Sequence, residues 1–123
     1  MAKFQELRVY QLAEKFSNEI WTIVSQWDYF AKETVGKQLV RSADSVGANI
    51  AEGNGRYNYK DNQRFVKIAR GSLHETQHWL RLACARKLLT QEQIGNIKPL
   101  IDELAPTLNA YLNSLNRPTT NNK

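Results

Sequence analysis

Apolar residues recur along most of the chain at the three- and four-residue spacing of an amphipathic helix. This pattern predicts helices over residues 6–27, 33–52 and 59–88, and a fourth from residue 91 to about residue 115. Asn58, with Asp61 three residues later, is the predicted N-terminal cap of the third helix. The expected core residues of the first helix are Leu7, Tyr10, Ala13, Phe16, Ile20, Ile23, Val24 and Trp27. Those of the second helix are Leu39, Ala43, Val46 and Ile50.

The third helix carries more apolar residues than one core seam requires. The seam is expected to contain Phe65, Ala69, Ser72, Thr76, Trp79, Leu80 and Ala83. Val66 and Leu73 then lie on an apolar flank beside the seam, and Trp21 lies off the seam of the first helix. We therefore predict that Trp21, Val66 and Leu73 contact another subunit.

The fourth helix has a clear start and an interrupted interior. Thr90 and Gln93 form the pattern of a capping box. Pro99 and Pro106 fall inside the apolar pattern that follows. Because each proline removes a backbone donor, we expect a kink, or a break near Lys98.

Together the helices predict an all-α fold, an up-down-up-down antiparallel four-helix bundle. The 123 residues suit one domain, expected over residues 1–116, with a disordered tail over residues 117–123. No apolar run reaches the roughly 18 residues of a membrane span, and the first residues lack the layout of a signal peptide. A single cysteine, Cys84, excludes an internal disulfide. We expect a cytoplasmic protein without a cofactor and without membrane association.

The second helix carries short polar side chains beside its apolar seam. This stripe consists of Gln38, Ser42, Ser45, Asn49 and Glu52. Short polar residues in this position predict a close approach of another helix, with hydrogen bonds across the contact. Gly71 and Ser72 of the third helix, beside Gly47 and Ala48 of the second, would allow such an approach.

Two motifs make the sequence similar to a known family. They are Asn49-Ile50-Ala51-Glu52-Gly53, followed by Arg56, and Ala69-Arg70-Gly71-Ser72-Leu73 with Glu75. Over residues 4–115 the chain resembles small bacterial four-helix-bundle proteins that are often encoded within intervening sequences of 23S rRNA genes. A related branch serves as the accessory protein of diversity-generating retroelements. The resemblance implies a four-helix bundle that assembles into a ring, a pentamer.

Polar residues of these motifs and their neighbours are predicted to form a structural network between the second and third helices. Its predicted members are Arg41, Ser45, Asn49, Glu52 and Glu75. Because a buried charge is tolerated only when it is partnered, Glu52 and Glu75 are expected to pair with arginines. Arg56 and Arg70 are the candidate partners, although Arg70 fits the surface of the third helix as well.

The net charge of +5 is concentrated in residues 59–90, where seven Lys or Arg residues stand against two acids. Cations spaced along one helix can neutralise consecutive phosphates, and aromatic residues at its start can stack on unpaired bases. The predicted nucleic-acid-binding residues are Arg56, Tyr57, Tyr59, Lys60, Arg64, Lys67, Arg70 and Arg81. The alternative interpretation is an ordinary solvated face.

His74, Glu75 and His78 match the H-E-x-x-H pattern of zinc proteases. No third ligand lies at a familiar spacing, and in the resembling family Glu75 belongs to a different motif that does not include the histidine positions. We therefore interpret them as surface histidines, with adventitious metal binding ranked above catalysis. The sequence shows no nucleophile paired with a base and no phosphate-binding glycine loop, so neither enzymatic activity nor a bound metal is predicted.

Two functional hypotheses follow from the sequence. The leading one is a homo-oligomeric helical bundle that binds RNA or DNA nonspecifically through the third helix, in an accessory or scaffold role. The alternative is a protein-interaction module that recruits a partner such as a polymerase or reverse transcriptase, with no direct nucleic-acid role. The salt dependence of nucleic-acid binding distinguishes them, because phosphate contacts release counterions.

Overall fold

A computed structural model describes residues 3–116, and within that range every regular element is helical. In chain order the elements are a 3₁₀ turn (Phe4–Glu6), α1 (Arg8–Val24), an α-helical turn (Tyr29–Ala31), a π-helical segment (Lys32–Gly36), α2 (Lys37–Asn54), α3 (Tyr59–Ala85) and α4 (Gln91–Ser114). The tail predicted over residues 117–123 lies outside the described residues.

The four long helices form an up-down-up-down antiparallel bundle, which confirms the predicted fold class. α2 packs most extensively on α3, and α1 packs on both α2 and α4. The contact between α3 and α4 is smaller than these. None of the helices in residues 3–116 has the length and apolar character needed to cross a membrane.

The second helical segment starts earlier than the predicted residue 33. Asp28 has an extended backbone, and its carboxylate accepts a hydrogen bond from the backbone N–H of Ala31 at 3.0 Å. Asp28 is therefore an N-cap. As a result Tyr29 and Phe30 begin a helix instead of forming a loop, and both rings are exposed.

α3 starts at the predicted cap but ends earlier than expected. The side chain of Asn58 accepts a hydrogen bond from the backbone N–H of Asp61 at 2.8 Å. At the other end Lys87 adopts a φ of 61°, and the N–H of Leu88 bonds to the carbonyl oxygen of Ala83 at 2.9 Å. This is the arrangement of a Schellman motif. It contains no glycine, so the sequence pattern does not indicate it.

α4 has the predicted capping box. The N–H of Gln93 donates to Oγ1 of Thr90 at 3.1 Å, and the N–H of Thr90 donates to Oε1 of Gln93 at 2.9 Å. The helix continues through Pro99 and Pro106, so the expected break near Lys98 does not occur. Apolar side chains on both sides of the prolines hold the helix against the core. The buried ones are Ile97, Leu104, Leu108 and Leu112.

The core seams of the first two helices agree with the sequence pattern. On α2, the residues predicted for the core are all fully buried. On α1, Leu7 and Tyr10 at one end and Trp27 after the other are partly buried, and the central residues are buried. Partial burial, together with the carboxylate of Glu14 that accepts a hydrogen bond from the phenol at 3.4 Å, raises the pKa of Tyr10.

The core face of α3 is rotated relative to our prediction. Val66 and Leu73, which we assigned to a subunit contact, are 0% and 2% exposed within the chain's own core. That assignment is wrong, because neither side chain is accessible to a second copy. The prediction placed the aromatic residues Phe65 and Trp79 in the core seam of α3, but both are only partly buried. The buried residues of α3 are Asn62, Val66, Ala69, Leu73, Thr76, Leu80 and Ala83.

Close approach of α2 and α3 is set by Gly53, not by the glycines we expected. A Cβ on Gly53 would lie 2.4 Å from Oδ1 of Asn62 and 3.1 Å from its backbone oxygen. A Cβ on Gly71 would meet no neighbouring atom within 4 Å, and one on Gly47 would face the ring of Tyr10 on α1 at 3.5 Å. The predicted approach of Gly71 to Gly47 is therefore wrong.

Replacing Gly53 with alanine should destabilise the protein. The new methyl group would overlap the buried Asn62 and its backbone, so we expect the free energy of unfolding to fall by about 1–3 kcal/mol. Gly71→Ala is the matched control. It places the same methyl group on an exposed position in a helix interior, where alanine is favoured over glycine by up to about 1 kcal/mol.

Urea denaturation followed by circular dichroism, with every sample at the same protein concentration, measures the free energy of unfolding of both variants. A lower free energy of unfolding in Gly53→Ala, together with an increase in Gly71→Ala, would support the close contact at Gly53. Equal changes in Gly53→Ala and Gly71→Ala would contradict it.

Candidate nucleic-acid interface

The outer face of α3 carries an exposed row of cations. Lys60, Arg64, Lys67 and Arg81, which we call the basic stripe, are exposed, as are His74 and His78 between them. The row extends over about 30 Å at the 1.5 Å rise of a helix. No acid in residues 3–116 forms an ion pair with Lys60, Lys67 or Arg81. The exposure expected for these residues is confirmed, and their binding to nucleic acid stays a prediction.

Two of the predicted binding residues are engaged with acids at the start of α3. Arg64 pairs with Asp61 at 3.0 Å. Arg56 pairs with Glu52 at 2.9 Å and lies 3.8 Å from Asp61. The guanidinium carbons of both arginines also lie 4.5–4.6 Å from the centroid of the Phe65 ring, within the range of a cation–π interaction. The two charges of each sign balance, so this cluster adds little long-range attraction for phosphate.

The other predicted members occupy different positions. Tyr57 is fully exposed in the loop before α3, and half of Tyr59 is exposed in the first turn. Tyr59 is next to Lys60 in the chain, and Tyr57 is three residues before it. Arg70 is half-buried and forms no ion pair with a residue in the described part of the chain.

α2 and α3 meet along a polar seam. The hydroxyl of Ser72 donates to that of Ser45 at 2.9 Å, and the hydroxyls of Thr76 and Ser42 are hydrogen-bonded at 2.9 Å. Asn49 supports the first pair, since its Nδ2 donates to the backbone oxygen of Ser45 at 2.8 Å and to its Oγ at 3.0 Å. The predicted hydrogen bonds between the two helices are confirmed at Ser45.

The charged members predicted for this network lie outside it. Arg41 is exposed and pairs with no acid in residues 3–116. Glu52 does meet an arginine, Arg56, but at the exposed end of α2. Glu75 pairs with no arginine in residues 3–116 and accepts a hydrogen bond from Nε1 of Trp79 at 3.1 Å. The assignments of Arg41 and Glu75 were wrong because short hydroxyl side chains fill the close contact and charges avoid the cost of desolvation.

His74 and His78 are exposed on the outer face of α3. The ring of His78 makes an edge contact with the neighbouring Trp79, with 4.9 Å between ring centroids. Among the described residues, no group of three or more His, Cys, Asp or Glu side chains is placed to hold a metal ion. The pair therefore lacks the third protein ligand that a catalytic zinc ion requires.

The sequence analysis missed a second cationic surface, between α1 and the start of α2. Arg41, predicted for the polar network, lines a groove there together with Trp21, Lys32 and Lys37. The spacing of Lys37 and Arg41, one helical turn apart, was visible in the sequence. Their association with Trp21 depends on how α1 packs on α2, which the sequence pattern does not show.

The fold and its outer surface define a class: small, basic, all-helical bundles with cations displayed along one long helix. Within this class the chain belongs to the 23S rRNA-intervening sequence protein family, which it matches over residues 5–110. It is similar to a crystal structure of a protein of unknown function from the S23 ribosomal protein family of Bacteroides thetaiotaomicron VPI-5482, at 26% identity and a TM-score of 0.74. The similarity covers 85% of this chain and 97% of that one. No curated protein matches the chain. The family match thus confirms the resemblance to the 23S rRNA intervening-sequence proteins.

Thr76→Val should reveal how much the polar seam contributes to stability. Thr76 is fully buried, and valine has the same shape but loses the hydrogen bonds to Ser42 and to the backbone oxygen of Ser72. We expect a loss of about 1–2 kcal/mol in the free energy of unfolding.

Thr22→Val is the control, because Thr22 makes the same hydrogen bond to the carbonyl four residues earlier but is exposed on α1. Its effect should stay within about 0.5 kcal/mol. Denaturant titrations of both variants measure the difference. If the two substitutions have equal effects, the bond between α2 and α3 contributes nothing.

Proposed function

We propose that the protein binds RNA or DNA without sequence preference through the outer face of α3, in an accessory or scaffold role in the cytoplasm and without catalysis. The observation that carries the proposal is the exposure of Lys60, Lys67 and Arg81 with no acidic partner among the described residues. Such side chains are free to contact phosphates and to release the counterions that drive sequence-independent binding.

The charges on this face predict where binding is strongest. The cluster of Arg56, Arg64, Asp61 and Glu52 is neutral, so the two arginines must leave their acids before they can bind phosphate fully. Lys60 and Lys67 have no such competition, and exposed Tyr57 lies close to Lys60 in the chain. We therefore assign phosphate contacts first to Lys60, Lys67 and Arg81, with Arg70 as a further cation, and base stacking to Tyr57 and Tyr59.

We further propose that the protein acts as a homo-oligomer, a pentamer as the family resemblance implies. Tyr29 and Phe30 offer apolar surface for such an assembly, since they are 80% and 77% exposed at one end of the bundle. Repetition of the basic stripe around a ring would multiply weak phosphate contacts through effective concentration. The family name, which refers to 23S rRNA, is consistent with a nucleic-acid partner.

A protein-interaction module is the second candidate, and a specific groove favours it. Between the end of α3 and α4 lies a groove of about 590 Å³ whose walls include Leu80, Leu89, Ile94 and Ile97. An apolar groove of this kind can receive a side chain or a helix of a partner such as a polymerase or reverse transcriptase. In this case nucleic acid would have no direct contact with α3.

Removing the unpaired cations tests the leading proposal. A Lys60→Gln, Lys67→Gln, Arg81→Gln variant should bind labelled single-stranded RNA more weakly, with a salt slope smaller by about 2, because each lost phosphate contact on a single strand changes the slope by roughly 0.7. Fluorescence anisotropy over a salt series measures the slope.

The control removes the same charge elsewhere, through Lys3→Gln, Lys15→Gln and Lys98→Gln. These lysines are exposed just before the 3₁₀ turn, on α1 and on α4. Equal losses in the two variants would mean that net charge alone attracts RNA. Unchanged binding in the stripe variant would reject phosphate contact by α3 and leave the protein-interaction module.

A further inference from the structure

The groove between α1 and the start of α2 displays an exposed tryptophan. The side chain of Trp21 is 62% exposed. It borders a groove of about 650 Å³, with Val24 and Val40 among the apolar residues that line it. Burial of an aromatic side chain is strongly favoured in a folded chain, so an exposed indole beside an apolar groove indicates an aromatic or apolar ligand.

The base of this groove is closely packed. Gly36, at the end of the π-helical segment, lines it and is itself buried. A Cβ at Gly36 would lie 2.7 Å from Cγ1 of Val24 and 3.3 Å from the ring of Trp27, so the segment touches the end of α1 directly. π-helical turns are rare and occur often at functional sites.

The rim of the groove is cationic. Lys32, Lys37 and Arg41 line it, with Glu33 as the opposing acid. All three cations are exposed, and none forms an ion pair with a residue in the part of the chain that the structure describes. Lys37 and Arg41 are one helical turn apart, which separates their Cα atoms by about 6 Å along the axis. The groove therefore combines one flat aromatic surface with two adjacent cationic side chains.

A second copy of this chain fits the groove less well. A second copy could bring its exposed rings, Tyr29 and Phe30, together with the carboxylates of Asp28 and Glu33. Asp28 already accepts a hydrogen bond from Ala31 as the helix cap, so Glu33 is the carboxylate left to pair with the three cations of the groove. Most of these cations would then remain unpaired in a contact between two basic chains, at a cost in desolvation. A ligand that carries its own anion beside a flat ring meets both features of the groove.

We propose that this groove binds one unpaired nucleotide of a single-stranded nucleic acid, with the base stacked on Trp21 and its flanking phosphates bound by Lys37 and Arg41. Stacking on an aromatic side chain with cations along the backbone is how proteins bind single strands without sequence preference. Duplex nucleic acid offers phosphates but no free base, so this site favours single strands. It is separate from the basic stripe, since it is built by α1 and α2.

The test uses the full chain with Lys60, Lys67 and Arg81 already changed to Gln, so that its outcome does not depend on binding by α3. A short labelled oligothymidylate is the probe, and fluorescence anisotropy gives its affinity.

Trp21→Leu should weaken binding roughly 5- to 100-fold, the range for loss of one stacked base. Trp21→Phe should change the affinity by no more than about fivefold, because phenylalanine still stacks on a base. Quenching of indole fluorescence by the oligonucleotide should disappear in Trp21→Phe, since Trp27 and Trp79 are partly buried.

A double variant, Lys37→Gln with Arg41→Gln, tests the cations. It should reduce the slope of binding affinity against salt concentration by roughly 0.7 for each residue. The charge-matched control is the double variant Lys3→Gln with Lys15→Gln. Circular dichroism and light scattering accompany each variant. Equal affinity of Trp21→Leu and its parent would overturn the proposal. A smaller oligomer in Trp21→Leu would also overturn it, because the groove would then belong to a contact with a second copy. Equal displacement of the probe by polyglutamate would overturn it as well, because the groove would then attract any polyanion by charge alone.

Discussion

The close contact between α2 and α3 is the constraint on which the rest of this structure depends. Hydroxyl pairs at Ser45–Ser72 and Ser42–Thr76 lie between the helices, and Gly53 brings the end of α2 against Asn62. Hydrogen bonds need a defined distance and direction, whereas apolar contacts alone tolerate some rotation. The seam therefore fixes how α3 is turned about its axis.

This rotation decides what the surface of α3 presents. With Thr76 directed at α2 and Leu73 in the core, Lys60, Lys67 and Arg81 are exposed and form no ion pair with the acids of residues 3–116. The same rotation buries Val66 and Leu73, so these two residues offer no surface for a subunit contact. A structural interaction inside the bundle thus controls the charge pattern outside it, which carries the proposed function.

The family's two motifs acquire separate physical roles from this arrangement. Asn49 and Ser72 belong to the seam and act on packing. Glu52 holds Arg56 near Phe65, which orders the turn between α2 and α3. Glu75 acts within α3, where it accepts a hydrogen bond from Trp79. The residues of the two motifs therefore act mainly on packing and on the turn between the helices. Most of the cations proposed to bind nucleic acid lie outside the motifs.

The sequence by itself determined the number and order of the helices, the caps at Asn58 and Thr90, and the core of α2, because these depend on neighbours within one or two turns of the chain. It did not determine the rotation of α3, since Phe65 and Val66 are both apolar and only packing against two helices distinguishes them. Nor did it show that Asp61 engages Arg56 and Arg64, or that Trp21 and Arg41 share a groove. These contacts either join residues that are distant in the sequence or depend on which of several equivalent neighbours a side chain meets. Only the tertiary structure therefore decided them.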